Sequence, residues 1–285
     1  MRHSADQSVA VGFFDGVHLG HQAILRGATA AITFRNHPLS VLAPSRAPRL
    51  ILSPERREAE IRACGVENVR MLEFTRETAA MSAEEFLRTQ VLGECGGRAR
   101  VRCGANWRFG RGGAGDPAFL RREGVPADVA DYVTYRGGRI SSSRIRECIA
   151  SGAVEDAAAM MGRRYAMSGT VERGKGRGAG LGFPTVNLRN RDCGVPLVLP
   201  PNGVYEVVAA GARAAANWGI APTMGDQAWT EPVLEIHLPK NFGNPPAPGD
   251  ELEVEFVRFI RPERRFASLD ELKRQITADC AIIGV

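Results

Sequence analysis

The sequence predicts two domains of different class: an α/β domain on a parallel sheet, then a small antiparallel β-barrel closed by a C-terminal helix. Three observations predict it. At 285 residues the chain is long for a single hydrophobic core. Its first half alternates short apolar runs with helical patterns, which implies strands laid parallel by helical crossovers. From about residue 165 the pattern changes to strand-length runs separated by Gly, Pro and Asn, the signature of a small barrel.

The elements follow in order. SVAVG (8–12), residues 30–34, residues 68–72 and ARVRC (99–103) read as strands. PERREAEIRACG (54–65) and SAEEFLRTQVLG (82–93) read as helices between them. The second opens on a capping box, Ser82 with Glu85, and Gly93 supplies its stop. Two short helices, 143–151 and 154–161, precede a domain boundary near 163, giving domains 1–163 and 164–285. Residues 165–174, 203–211, 212–220, 233–239 and 250–260 then read as barrel strands. The chain ends in a helix capped by Ser268 and Glu271, with Leu269, Leu272, Ile276, Cys280 and Ile283 on one face.

Apolar residues make up 44% and charged residues 24%, as in soluble globular proteins. No run is long enough to span a bilayer, and the N-terminus lacks the apolar core of a secretion signal, so a cytoplasmic location is expected. The cysteines (64, 95, 103, 148, 193, 280) form no C-x-x-C pair, which argues for reduced thiols. A net charge of +5 suits an anionic partner. The arginines are dispersed among acidic residues, so small anions are expected in place of nucleic acid, and no membrane partner.

GFFDGVHLGHQ (12–22) crowds glycine, aspartate and histidine behind the first strand, at the carboxyl edge where α/β sheets bind ligands. His18 and His21 are three apart and share a face on a first helical turn. Gly16 and Gly20 let a backbone approach a ligand closely, and a helix start favours phosphate. Taken alone, such a pair is a helix cap with surface histidines; behind a strand and after FDG it points to a nucleotide site.

GFFDGVHLGHQ resembles the HxGH signature of nucleotidylyltransferases and, more narrowly, the opening of bacterial bifunctional riboflavin kinase/FAD synthetases. TFRNHP (33–38), GANWRFGRGGAGD (104–116) and ISSSRIRECIASG (140–152) are similar to further stretches of that family's first module. The resemblance implies a nucleotidylyltransferase-type (Rossmann-like) domain that transfers AMP from ATP to FMN, giving FAD and pyrophosphate. It implies that His18 and His21 meet the ATP phosphates and that Asn106 holds FMN or the nucleotide. Ser142, Ser143 and Arg146 would close over the phosphates, with Gly12, Phe14, Asp15 and Gly20 completing the nucleotide site. The span HQAILRGATAAITF is about ten residues shorter than is usual there, which shortens the first helix by about 15 Å at 1.5 Å per residue. TFRNHP stands where TFEPHP is common, so the flavin-side wall is expected to differ.

Residues 169–188 are glycine-rich before Phe183, as in a loop that wraps phosphates with backbone N–H groups or an ordinary hairpin loop. Thr185 and Asn187 are two apart and point the same way in extended chain, offering oxygens to Mg²⁺ on ATP. This stretch is similar to the riboflavin kinase pattern ending in GFPTAN. NWGIAPT (217–223), EPVLEIHL (231–238) and the closing strand and helix match the same module. The resemblance implies a riboflavin kinase barrel that converts riboflavin to FMN, with Glu235 as general base, Gly174, Gly176, Gly182 and Thr185 at ATP, Thr185 and Asn187 at Mg²⁺, and Phe183 and Arg261 at the flavin. Ala179 stands where Arg is usual and Phe242 where Tyr is common, which implies altered ATP affinity with the chemistry kept. Two other readings stay open here: a kinase with an inactive, shortened N-terminal domain, or a non-catalytic flavin or nucleotide sensor. Retained HLGH and SSSRIR weigh against the first, and retained Glu235 and histidines against the second.

Overall fold

The first unit is built on a parallel sheet whose central strand is buried throughout, while its outer strands are partly exposed. The strands are β1 (Ser8–Val11), β2 (Ala30–Phe34), β3 (Asn68–Leu72) and β4 (Arg100–Gly104), joined by β5 (Ala127–Ala130) in the order β3-β2-β1-β4-β5. The computed structural model describes residues 7–93, 99–173, 185–190, 194–219, 232–238, 244–264 and 266–285. The chain divides into two units, Met1–Arg146 with Val195–Leu197, and Glu147–Gly194 with Val198–Val285.

In the first unit, Val9, Val11, Ile32, Val101 and Cys103 pack with Phe86, Leu87, Val91, Phe109 and Leu120 into one core. The connecting helices are short. They are α1 (Leu19–Leu25), α2 (Pro38–Leu42), α3 (Pro54–Ala63), α4 (Arg76–Ala80), α5 (Ala83–Phe86) and α6 (Pro117–Arg122). The helix expected over 82–93 is only partly α. Ser82 caps α5, but Leu87–Val91 widens into a π turn, with the Leu92 N–H donating to the Leu87 carbonyl at 2.9 Å. The wider turn keeps Phe86, Leu87 and Val91 together in the core. A two-strand hairpin follows β5, with β6 (Thr134–Tyr135) and β7 (Gly138–Arg139). Arg136 and Gly137 both have positive φ, 47° and 72°, which makes the tight primed turn that such ribbons need. Helices α7 (Ser142–Ala150) and α8 (Val154–Met161) come next.

The second unit is a closed antiparallel barrel in the order β10-β11-β12-β9-β8-β13. Its strands are β8 (Tyr165–Glu172), β9 (Thr185–Asn190), β10 (Gly203–Ala209), β11 (Ala212–Gly219), β12 (Val233–His237) and β13 (Glu251–Pro262). Alternation puts Leu188, Tyr205, Val207, Leu234, Ile236, Val254 and Phe256 in the interior. Helix α9 (Leu269–Ile283) packs on β11. Its buried face departs from the expected one. Leu269 is 67% exposed, Leu272 and Cys280 are half-buried, and Asp279 is buried beside Ile276 and Ile283. The ion pair of Asp279 with Arg261 on β13 turns the helix to that face.

The division into units falls at Arg146/Glu147, ahead of the boundary near 163, because α8 packs on β8 and β13. Val154, Ala157, Met160 and Met161 are fully covered there. Burying an apolar side chain stabilises by about 1.5–3 kcal/mol. A fragment of residues 164–285 is therefore expected to unfold about 10 °C or more below one of residues 147–285, read by thermal denaturation.

Candidate active site

Beyond the carboxyl ends of β1 and β4 lies a cleft of ≈ 430 Å³. Of the N-terminal candidates all but Gly16 line it: Gly12, Phe14, Asp15, His18, Gly20, His21, Asn106, Ser142, Ser143 and Arg146. The turn out of β1 is sharp. Phe14, Gly16 and Val17 have φ of 53°, 82° and 38°, and a Cβ on Gly16 would meet Ile51 Cδ1 at 2.8 Å. That turn sets His18 as the cap of α1, its Nδ1 accepting from the His21 N–H at 3.2 Å. Neutral His18 therefore carries its proton on Nε2. The two rings stack at 3.6 Å with 16° between planes, which meets the expectation of a shared face. Gly20 leaves room for the His18 ring, which a Cβ there would meet at 3.2 Å.

Asp15 joins three segments. Its carboxylate accepts from the Ile51 N–H (3.0 Å), the Leu52 N–H (3.3 Å) and Arg146 Nη2 (2.8 Å), and Ser142 Oγ donates to its carbonyl at 2.9 Å. The start of α7 is thereby fixed against the HLGH turn. Arg144 ties the same helix to the β6–β7 hairpin through the Tyr135 and Gly138 carbonyls, at 2.9 and 3.0 Å.

The cleft holds residues that sequence reasoning did not single out. His37 caps α2, its Nδ1 accepting from the Leu39 N–H at 3.1 Å, and its ring meets Phe13 edge-on at 4.8 Å. Arg139 lies over the Tyr132 ring at 3.8 Å on the rim. Behind the cleft, α3 buries Arg57 completely, with its guanidinium 4.4 Å from the Phe13 centroid. His37 had a signal, because a polar residue followed by Pro at the first helical position is a helix start. Arg57 had none within PERREAEIRA, which reads as a charged solvent face.

Burial holds the His21 pKa well below the usual histidine range, helped by His18, Arg139, Arg146 and Arg57. Burial also lowers His37, where Arg146 and Arg57 outweigh Asp15. Both rings are neutral near pH 7. The unfolded chain takes these protons near pH 6.5 and the native state only at lower pH, so stability is full above about 6.5 and falls below it. We expect the thermal midpoint of the first unit to drop between about pH 7 and about pH 5. His37→Asn, which keeps an acceptor for the Leu39 N–H, should make that drop shallower.

In the second unit the polar candidates share the outer face of the wall. Glu235 on β12 is flanked in register by Asn187 on β9 and Asn217 on β11, and His237 pairs with Thr185. All five are half-buried, while the intervening Val186, Leu188, Leu234 and Ile236 point into the barrel. Asn217 Nδ2 donates to Glu263 at 3.0 Å, and Glu263 lies over Gly219, where a Cβ would meet its Oε1 at 2.0 Å. A side chain at position 219 would displace that exposed carboxylate. Arg261 has each of its nitrogens engaged: Nε and Nη2 donate to Asp279 (3.1 and 2.7 Å) and Nη1 to the Pro262 carbonyl (3.1 Å). Gln275 adds a bond to Asp279 at 2.7 Å. Gly174, Gly176, Ala179, Gly182, Phe183 and Phe242 lie outside the described residues.

The family model for FAD synthetase matches residues 1–144, and that for riboflavin kinase matches residues 161–284. The chain belongs to the bifunctional riboflavin kinase/FMN adenylyltransferase family. A bifunctional riboflavin kinase/FMN adenylyltransferase of Escherichia coli strain K12 is 33% identical over 95% of this chain and 90% of its own. That of Bacillus subtilis strain 168 is 30% identical over 96% of this chain and 90% of its own. A crystal structure described as a macrolide-efflux protein from Streptococcus pneumoniae superposes with a TM-score of 0.85, at 29% identity over 98% of this chain and 94% of that one. Among the described residues, no helix is long and apolar enough to cross a membrane. The two family matches flank residues 145–160, the stretch that holds most of α7 and α8.

Proposed function

We propose that the chain phosphorylates riboflavin to FMN with ATP in its barrel and adenylylates FMN to FAD with a second ATP in its α/β unit. The observation that carries this reading is the single cleft that gathers the stacked histidines, the serines of α7 and Arg146 at the carboxyl edge of a parallel sheet. Its volume is within the range of small-molecule sites.

In the α/β unit an FMN phosphate oxygen attacks the α-phosphorus of ATP, and the bond to pyrophosphate breaks. No protein nucleophile is needed, so the protein supplies position and charge stabilisation. His18 donates from Nε2, and His21, stacked on it, completes the pair at the phosphates. Arg146 is oriented by Asp15, and Ser142 and Ser143 begin the helix beside it. Asn106 and Gly12 line the flavin and nucleotide walls.

In the barrel, Glu235 takes the proton of the ribityl 5′-hydroxyl as that oxygen attacks the γ-phosphorus, and ADP leaves. The Thr185 hydroxyl and Asn187 carbonyl oxygens are hard donors on the face that holds Glu235, which fits Mg²⁺ carried in with ATP phosphates and water. When bound, the ion neutralises phosphate charge. Arg261 acts through α9, which it pins to β13 and so sets one wall of the flavin side. Pure protein incubated with riboflavin and MgATP is the test, read by chromatography. FMN followed by FAD is expected; FMN alone removes the adenylylation reading, and neither product removes both.

A further inference from the structure

In the first unit, the described buried side-chain nitrogens that lack a hydrogen-bond partner gather at one place. They are His21 Nδ1, Arg57 Nε and Nη1, and Arg146 Nε. Arg57 and Arg146 flank Asp15, and its carboxylate is already committed to Arg146 and to two backbone N–H groups. Arg57 has no carboxylate within ion-pair distance among the described residues. Its Nη2 donates to the Phe34 and Arg35 carbonyls, the latter at 2.9 Å, and its other face lies on Phe13. Buried Arg57 and half-buried Arg146 thus share Asp15, and the other carboxylate near Arg57, Glu55, is paired with Arg35.

Burying a cation without a paired anion is costly, and an apolar side chain of similar volume often serves packing as well or better. Packing alone does not account for a charge at this position. What it would offset is an anion in the cleft on the other side of Phe13 and His37, where phosphates are placed above. We propose that Arg57 is a positioning residue of electrostatic kind: its buried positive charge, left uncompensated by Asp15, keeps the cleft floor positive and favours the ATP phosphates. This rests on reading the cleft as the adenylylation site. The field is already felt by the neutral rings. His21 faces His18, Arg139, Arg146 and Arg57, and His37 faces Arg146, Asp15 and Arg57.

The test compares Arg57→Met and Arg57→Lys in the full chain. FAD formation from FMN and MgATP is followed against ATP concentration. Arg57→Met is expected to raise KM for ATP by about tenfold or more, and Arg57→Lys to stay within about threefold of the parent. A second readout needs no activity: the histidine ring protons are titrated by NMR without substrate. Arg57→Met should shift His21 and His37 upward, and Arg57→Lys should not. If Arg57→Met does not fold, Arg57→Gln, which can still reach the Phe34 carbonyl, takes its place with the same expectations. A folded neutral variant with parental KM and parental titrations overturns the proposal. So does a lysine variant as impaired as the neutral one, because the two carbonyl bonds and not the charge would then matter. A parent that makes no FAD defeats the reading of the cleft, and the titrations still decide the charge.

Discussion

Glu235→Gln should reduce riboflavin phosphorylation by about 100- to 10,000-fold, the range that general-base catalysis contributes. Glutamine keeps the size and shape of the side chain and removes only the proton acceptor. The residue is flanked in register by Asn187 and Asn217, two amides that tolerate an amide neighbour. It lies on the outer face of the wall, so the interior packing of Leu234 and Ile236 is unchanged and stability should hold. KM for riboflavin and ATP should stay within about threefold, the mark of an interaction made only in the transition state. FAD formation from supplied FMN should continue at the parental rate, because its groups belong to the first unit. Initial rates and riboflavin titration on one preparation check this. Turnover within about threefold of the parent would take Glu235 out of the mechanism. Loss of riboflavin binding as well would make it a ligand contact.

What could be read from the sequence follows from how locally each feature is encoded. The strands at 8–11 and 30–34 announce themselves because both faces are buried and the runs are continuously apolar. Helices α2, α4 and α6 are five or six residues long, too short to show a period. Their one local signal is the cap, such as Asp116 before Pro117. The histidine pair was legible because three residues on a helix start fix a shared face. The Tyr132–Arg139 contact was not, because strands of two residues carry no alternation. Arg57 and Asp279 mark the limit of such reading. Each is a charged residue that local pattern would leave at the surface, and each is buried through a distant partner: the Phe34 and Arg35 carbonyls for Arg57, Arg261 for Asp279. Tertiary context overrides local pattern at both.

His21→Ala should lower FAD formation by a few hundredfold, about 3–4 kcal/mol of transition-state stabilisation, and leave FMN formation intact. The capping bond of α1 is made by the His21 backbone N–H to His18 Nδ1, so it survives the loss of the ring. What disappears is the ring stacked on His18 and packed edge-on to Phe14 at 5.4 Å. The effect should fall mainly on kcat, since charge on the α-phosphorus oxygens grows only as the new bond forms. Stability gives an independent sign. The parent loses stability below about pH 6.5 because the buried ring resists protonation, and the alanine variant lacks that ring. Its thermal midpoint should therefore fall less steeply with acid than the parent's, even where the cavity left by the ring lowers it at neutral pH. A variant with the shallower acid profile and near-parental FAD formation would return HLGH to the role of a helix cap. A variant with lost FAD formation and a parental acid profile would place the protonation penalty on His37 and keep His21 in the chemistry.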